Sequence, residues 1–98
     1  MSVRALDWVL SVRVRPAAGP AAKLILFALA DEADDTGICC SSDQLIAAKC
    51  ELREEVVRRT IRRLVEANYL DVESAPEVRL EPVTKRYRLA IDARPAVS

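Results

Sequence analysis

Ser41 to Leu70 reads SSDQLIAAKCELREEVVRRTIRRLVEANYL, and the fold of the chain turns on this stretch. Its pattern predicts a short helix, a tight turn near Lys49–Arg53, and a longer helix over about Glu54–Ala67. Ser41 stands as the N-cap of the short helix, and Gln44 three residues on completes a capping box. Leu45, Ile46 and Ala48 supply the inner face of that helix, and Leu52 fills the space between the two helices. On the longer helix Val57, Ile61, Leu64 and Val65 share the face that turns toward a core. Asn68 follows the last helical residue, where a left-handed cap suits Asn or Gly. Tyr69-Leu70-Asp71-Val72 then alternates as a strand.

The longer helix carries two adjacent arginine pairs, Arg58-Arg59 and Arg62-Arg63, and its other half presents Arg58, Arg59 and Arg62, with Glu55 and Glu66 among them. An arginine-rich second helix after a tight turn is the part of a helix-turn-helix that enters a DNA major groove. The guanidinium is a planar fork that matches guanine O6/N7 or a phosphate. Arg58 and Arg59, on the N-terminal half, are the candidate base readers, and Arg62 and Arg63 the candidate phosphate contacts. The competing reading is a solvated face with ion pairs from Glu54 or Glu55 to Arg58 or Arg59. Glu54 and Glu55 suit the helix dipole. A glutamate at that position accepts a hydrogen bond from cytosine N4 or repels a phosphate, and both outcomes stay open.

Outside this stretch the chain predicts two further helices and a return strand. Residues 4–12, RALDWVLSV, form a short helix or turn with Leu6, Trp8, Val9 and Val12 available for burial. Trp8 reads as a core or dimer-interface residue ahead of a base-stacking one. Arg15-Pro16 to Gly19 breaks that element. Pro20 then opens a helix running to about Ala33, with Leu24, Ile25, Ala28 and Leu29 as its apolar repeat and Leu26 and Phe27 broadening the stripe. Asp34-Asp35-Thr36-Gly37 supplies turn chemistry, and Ile38-Cys39-Cys40 is a short extended piece. Ser74–Pro82 reads as a loop. From Val83 to Ile91 the period is two, with Val83, Tyr87, Leu89 and Ile91 on one face and Thr84, Arg86 and Arg88 on the other. Two strands joined by that loop make a β-wing, and Asp92–Ser98 is a frayed tail.

Composition bounds the function. Ninety-eight residues make one domain, and 51% are apolar, enough for a core without staples. The 15 basic and 15 acidic residues balance, which counts against a tight nonspecific polyanion binder. Their distribution is uneven. Acids gather at Asp31, Glu32, Asp34 and Asp35, while bases gather on the Arg58–Arg63 helix and at Lys85, Arg86 and Arg88. These last three either track a DNA backbone, enter a minor groove, or form the charged outer face of an edge strand. Ser41 and Ser42 offer a hydroxyl or an N–H to a phosphate, or simply cap a helix. Three cysteines, Cys39, Cys40 and Cys50, occur with no histidine. The odd count, the absence of a signal-like start and of a long apolar run point to a reducing cytoplasm and no membrane. The adjacent Cys39-Cys40 spacing does not suit a zinc site, so no metal or cofactor is expected. Without histidine, a phosphate-cradling Gly loop or a nucleophile motif, catalysis is not expected either.

The order of elements resembles the bacterial and phage winged helix-turn-helix family of replication initiators and small regulators. The resemblance is carried by Ala22–Asp31 (AKLILFALAD), Asp35–Ser41 (DTGICCS), Val56–Leu64 (VVRRTIRRL), Asn68-Tyr69-Leu70 and the return strand Arg86–Leu89. It covers roughly residues 20–91. Where the family tends to have Trp-Pro-Ser chemistry, this chain has Cys40, Ser41 and Ser42. Arg53 occupies the place of the usual Ser or Thr cap, and Cys50-Glu51 replaces a glycine in a turn one residue longer. The resemblance implies a mainly helical fold: a three-helix core, an N-terminal short helix and a two-stranded antiparallel wing. Taken with the arginine helix, the expected function is sequence-specific binding of double-stranded DNA by a homodimer, in transcriptional regulation or in phage or plasmid replication or partition. The resemblance by itself suggests the latter group. The candidate contacts are Ser41, Ser42, Arg53, Glu55, Arg58, Arg59, Arg62, Arg63, Lys85, Arg86 and Arg88. The rival expectation is a protein-interaction adaptor that keeps the fold and has lost DNA binding, which zero net charge and the acidic cluster favour.

Overall fold

A computed structural model describes residues 2–14, 18–73 and 85–91. Four helices and three strands follow in the order α1 (Val3–Ser11), α2 (Ala22–Glu32), β1 (Ile38–Ser41), α3 (Asp43–Cys50), α4 (Glu54–Glu66), β2 (Leu70–Glu73) and β3 (Lys85–Leu89). The expected loop over Ser74–Pro82, the start of the return strand at Val83 and Thr84, the break at Arg15-Pro16 and the tail Asp92–Ser98 lie outside the described residues. Together α3 and α4 form a helix-turn-helix, and the strands behind it complete a winged helix-turn-helix.

Each helix has a local cause. On α1, Ser2 is the N-cap: its hydroxyl accepts from the Ala5 amide at 3.2 Å and donates to the Asp35 carboxylate at 2.7 Å. One small side chain thus starts the helix and pins it to the α2–β1 turn. On α2, Ala22, Ile25, Leu26, Leu29 and Ala30 are buried. Pro20 sits one residue before the N-cap Ala21, not at the first helical position, because Gly19 (φ 99°) begins the turn there and its carbonyl accepts from the Ala22 amide. In the α2–β1 turn the Asp34 carboxylate accepts from the Thr36 and Ile38 amides and from the Thr36 hydroxyl. These bonds hold its carboxyl below the ordinary range. Gly37 takes φ 87°, and a Cβ there would stand 2.9 Å from the Leu89 carbonyl oxygen, so no larger residue fits.

Two expectations for α3 are corrected. Ser42, not Ser41, is the N-cap, accepting from the Leu45 amide at 3.1 Å. Ser41 instead ends β1, where it pairs with Lys85. The buried face consists of Ile46, Ala47 and Cys50, while Leu45 and Ala48 are exposed. An eight-residue helix has barely two turns, too few for apolar periodicity to fix its phase. The turn to α4 uses Glu51 at φ 55°, with the Leu52 amide donating to the Ala47 carbonyl at 2.9 Å. This is a left-handed cap built on a residue with a Cβ, where glycine is the usual occupant. Half-buried Leu52 packs against the core, as expected.

On α4 the buried residues are Val57, Thr60, Ile61 and Leu64, with Val65 packed partly against the core. The helix stops where the sequence indicates: Asn68 takes φ 64°, and the Tyr69 amide donates to the Leu64 carbonyl at 3.0 Å. The expected two-stranded wing is a three-stranded antiparallel sheet in the order β1-β3-β2. Ile38–Ser41 pairs with β3 in the register Ile38↔Arg88 through Ser41↔Lys85, and β2 pairs with its other edge, Leu70↔Leu89 through Glu73↔Arg86. Tyr87 and Leu89 point into the core, and Arg86 and Arg88 point out. The Tyr87 hydroxyl is buried without a hydrogen-bond partner among the described residues, and burial pushes its phenol well above the ordinary range.

Candidate nucleic-acid interface

The interface is built on α4, whose inner face fixes how the outer one is presented. With Val57, Thr60, Ile61 and Leu64 seated in the core, a 100° step per residue turns Glu55, Arg58, Arg59 and Arg62 outward. All four are exposed. Among the described residues, Arg58, Arg59 and Arg62 make no ion pair or hydrogen bond. The ion pairs to Glu54 or Glu55 that a plain solvated face would show are therefore not formed in this structure. Arg63 differs from the other three. It turns its guanidinium back over Gly19, where a Cβ would stand 3.6 Å from Nη1.

The start of α4 is open. Arg53 occupies the N-cap with an extended backbone (φ −75°, ψ 146°), and no side chain caps the first amides. Its carbonyl accepts from the Val56 and Val57 amides. Unspent N–H groups and the positive end of the helix dipole make such an end hospitable to an anion, and Glu54 and Glu55 in the first turn partly answer it.

The strands contribute cations that already have partners. Glu73 lies directly across from Arg86 and accepts from its Nε at 3.1 Å, while its other oxygen meets Arg88 Nη2 at 2.8 Å. Lys85 Nζ lies 3.8 Å from Asp43. Ser41 and Ser42 are buried, and the Ser42 hydroxyl is engaged as a cap. The sequence thus brings together Arg53, Glu55, Arg58, Arg59 and Arg62 at one helix, and holds Lys85, Arg86 and Arg88 on the central strand of the sheet beside carboxylates. Glu73 was missed by sequence reasoning. Its role depends on a strand register set across residues far apart in the chain.

The acidic cluster is also accounted for internally. Lys49 Nζ bridges Asp31 at 2.8 Å and Glu32 at 2.6 Å, which lowers the Asp31 carboxyl and raises the Lys49 ammonium. Asp34 holds its turn, and Asp35 holds Ser2. Of the thiols, Cys39 and Cys50 are buried and Cys40 is exposed. No described helix is long and apolar enough to cross a membrane.

A family model described as a helix-turn-helix domain matches residues 19–70, from the turn before α2 to the first residue of β2. Searches of curated proteins and of solved structures found no match. A helix-turn-helix domain suggests DNA binding in general terms. Because the match spans more than half of the 98 residues and coincides with the helices just described, the chain belongs to the helix-turn-helix domain family.

Proposed function

We propose that the protein binds double-stranded DNA sequence-specifically, with α4 in the major groove. The observation that supports this most is the outward set of Arg58, Arg59 and Arg62, exposed and without a described partner on a helix whose other face is locked in the core. Arg58 and Arg59 read base edges from the N-terminal half, and Arg62 holds a phosphate. Arg53 and the uncapped amides beside it meet a second phosphate, and Arg63 lies at the margin. Lys85, Arg86 and Arg88 exchange Asp43 and Glu73 for the DNA backbone. Exposed ion pairs contribute only about 0–1 kcal/mol, so that exchange is inexpensive. The proposed role is transcriptional control or phage or plasmid replication or partition, in the cytoplasm.

A homodimer is part of the same proposal. Val3 and Leu10 are 71% and 65% exposed and lie seven residues apart, which puts both on the outward side of α1. That side faces away from Ala5 and Val9 and offers a second copy an apolar strip.

One observation favours a different reading. Zero net charge together with the Glu73 clamp on Arg86 and Arg88 suits an adaptor that keeps this fold without binding DNA. Titrating a mixed-sequence duplex pool against the protein across 50–200 mM salt separates the two. A DNA reader loses affinity steeply, with a log–log slope of about −0.9 per phosphate contacted. Absence of retention at low salt favours the adaptor.

A further inference from the structure

We infer that Glu55 is a base-selecting residue of α4 alongside Arg58 and Arg59, accepting a hydrogen bond from the exocyclic amine of a cytosine in the major groove. The inference rests on the DNA-binding reading above and names the base that it adds to the recognised sequence.

Position comes first. Taking Glu55 as the origin, Arg62 lies about 20° to one side, Arg59 about 40° to the other, and Arg58 about 60° away. Glu55 is therefore in the middle of the outward ridge, and it stands on the first turn, the end that enters a groove most deeply. It is exposed, with no described ion pair to Arg58 or Arg59 at i+3 and i+4. Folding alone does not explain this site. The helix dipole already has Glu54 in the same turn, and no capping bond is made by either side chain of the Arg53-Glu54 start.

Chemistry then selects the ligand. A carboxylate among three guanidinium groups opposes binding wherever the helix meets only phosphate. It becomes favourable where it meets a donor. Guanine O6 and N7 and thymine O4 are acceptors and repel it, and adenine sets its N7 acceptor beside N6. Cytosine N4 alone offers a donor without a neighbouring acceptor. Residues three and four apart on a helix have Cβ atoms about 5–6 Å apart, between one and two base-pair steps of about 3.4 Å. Glu55 on a cytosine thus places Arg58 or Arg59 over a guanine one or two pairs away, so the carboxylate and the fork read a short G·C-containing stretch together.

The test uses the whole chain and its Glu55→Gln and Glu55→Ala variants in selection from a random duplex pool, followed by affinity measurements on selected and scrambled duplexes at one salt concentration. The wild-type protein is expected to prefer cytosine at one position by roughly tenfold. Glu55→Gln should switch that position to adenine, because glutamine pairs with adenine N6 and N7. Glu55→Ala should lose the preference there and bind scrambled duplex several-fold more tightly. Selection that recovers the same base at every position for all three proteins overturns the inference while leaving DNA binding intact. Failure of the wild-type chain to retain any duplex overturns the DNA-binding reading, and this inference with it.

Discussion

The Tyr69 hydroxyl donates to the Arg13 carbonyl oxygen at 2.9 Å, joining positions 56 residues apart. Tyr69 follows the cap of α4 and Arg13 follows α1, so this bond ties the N-terminal helix to the end of the candidate reading helix. At the other end of α1, Ser2 is held by Asp35. α1 buries only Ala5 and Val9 within its own length, and these two polar ties fix its ends.

The two tyrosines give opposite expectations. Tyr69→Phe removes a donor that has a partner and is expected to cost about 1 kcal/mol in urea unfolding. Tyr87→Phe removes a buried hydroxyl without one, and is expected to be neutral or stabilising. A Tyr87→Phe loss as large as that of Tyr69→Phe would show that its hydroxyl has an unseen partner.

Glu51 holds a left-handed conformation at φ 55° that glycine adopts without steric cost. Glu51→Gly should raise stability by about 0.5–1 kcal/mol, the left-handed steric penalty of roughly 1–2 kcal/mol less the greater chain entropy of glycine, read as a higher melting temperature. Asn68 has nearly the same geometry, yet asparagine tolerates it, so Asn68→Gly should gain less.

Thiol reactivity should divide sharply. Cys40 is exposed and is expected to react first with an alkylating reagent in the native protein. Burial pushes the Cys39 thiol up to about 12, so at pH 8 almost none is thiolate and its labelling should wait for unfolding. Burial raises the Cys50 thiol too, and its Sγ donates weakly to the Leu24 carbonyl at 3.7 Å. Counting labelled sites by mass spectrometry with and without urea checks this order.

Arginine substitutions should separate by location. Arg62→Ala is expected to weaken all duplexes alike and to reduce the salt slope by about 1. Arg58→Ala should cost about 1–3 kcal/mol on the selected sequence and less on scrambled DNA. Arg86→Ala should change affinity least, since the phosphate contact of that side chain is offset by the Glu73 ion pair it gives up on binding. Equal losses at all three positions would contradict the placement of α4 in the groove.

Two cap positions show what local reading can and cannot reach. Asn68 was legible because a helix end, a tolerant residue and a following strand lie within five positions of one another. Two serines stand side by side at the start of α3, so local pattern does not choose between them, and the pairing of Ser41 with Lys85 is what moves the cap to Ser42. The exposure of Leu45 and Ala48 was illegible for a related reason: packing against α2, through Cys50 and Lys49, sets the rotation of so short a helix.

Local pattern suffices for the helical core, the turn, the end of α4 and the outward ridge of arginines. Periodicity over several turns and the backbone preferences of single residues are encoded within a few neighbours. Folding of the whole chain is what makes Ile38–Ser41 an edge strand of the wing, engages the acids of 31–35 with Lys49, Ser2 and their own turn, and sets Glu73 against Arg86 and Arg88. Strand register and cross-chain ion pairs bring distant residues together, and such partners are selected by packing of the whole core, which no local pattern records.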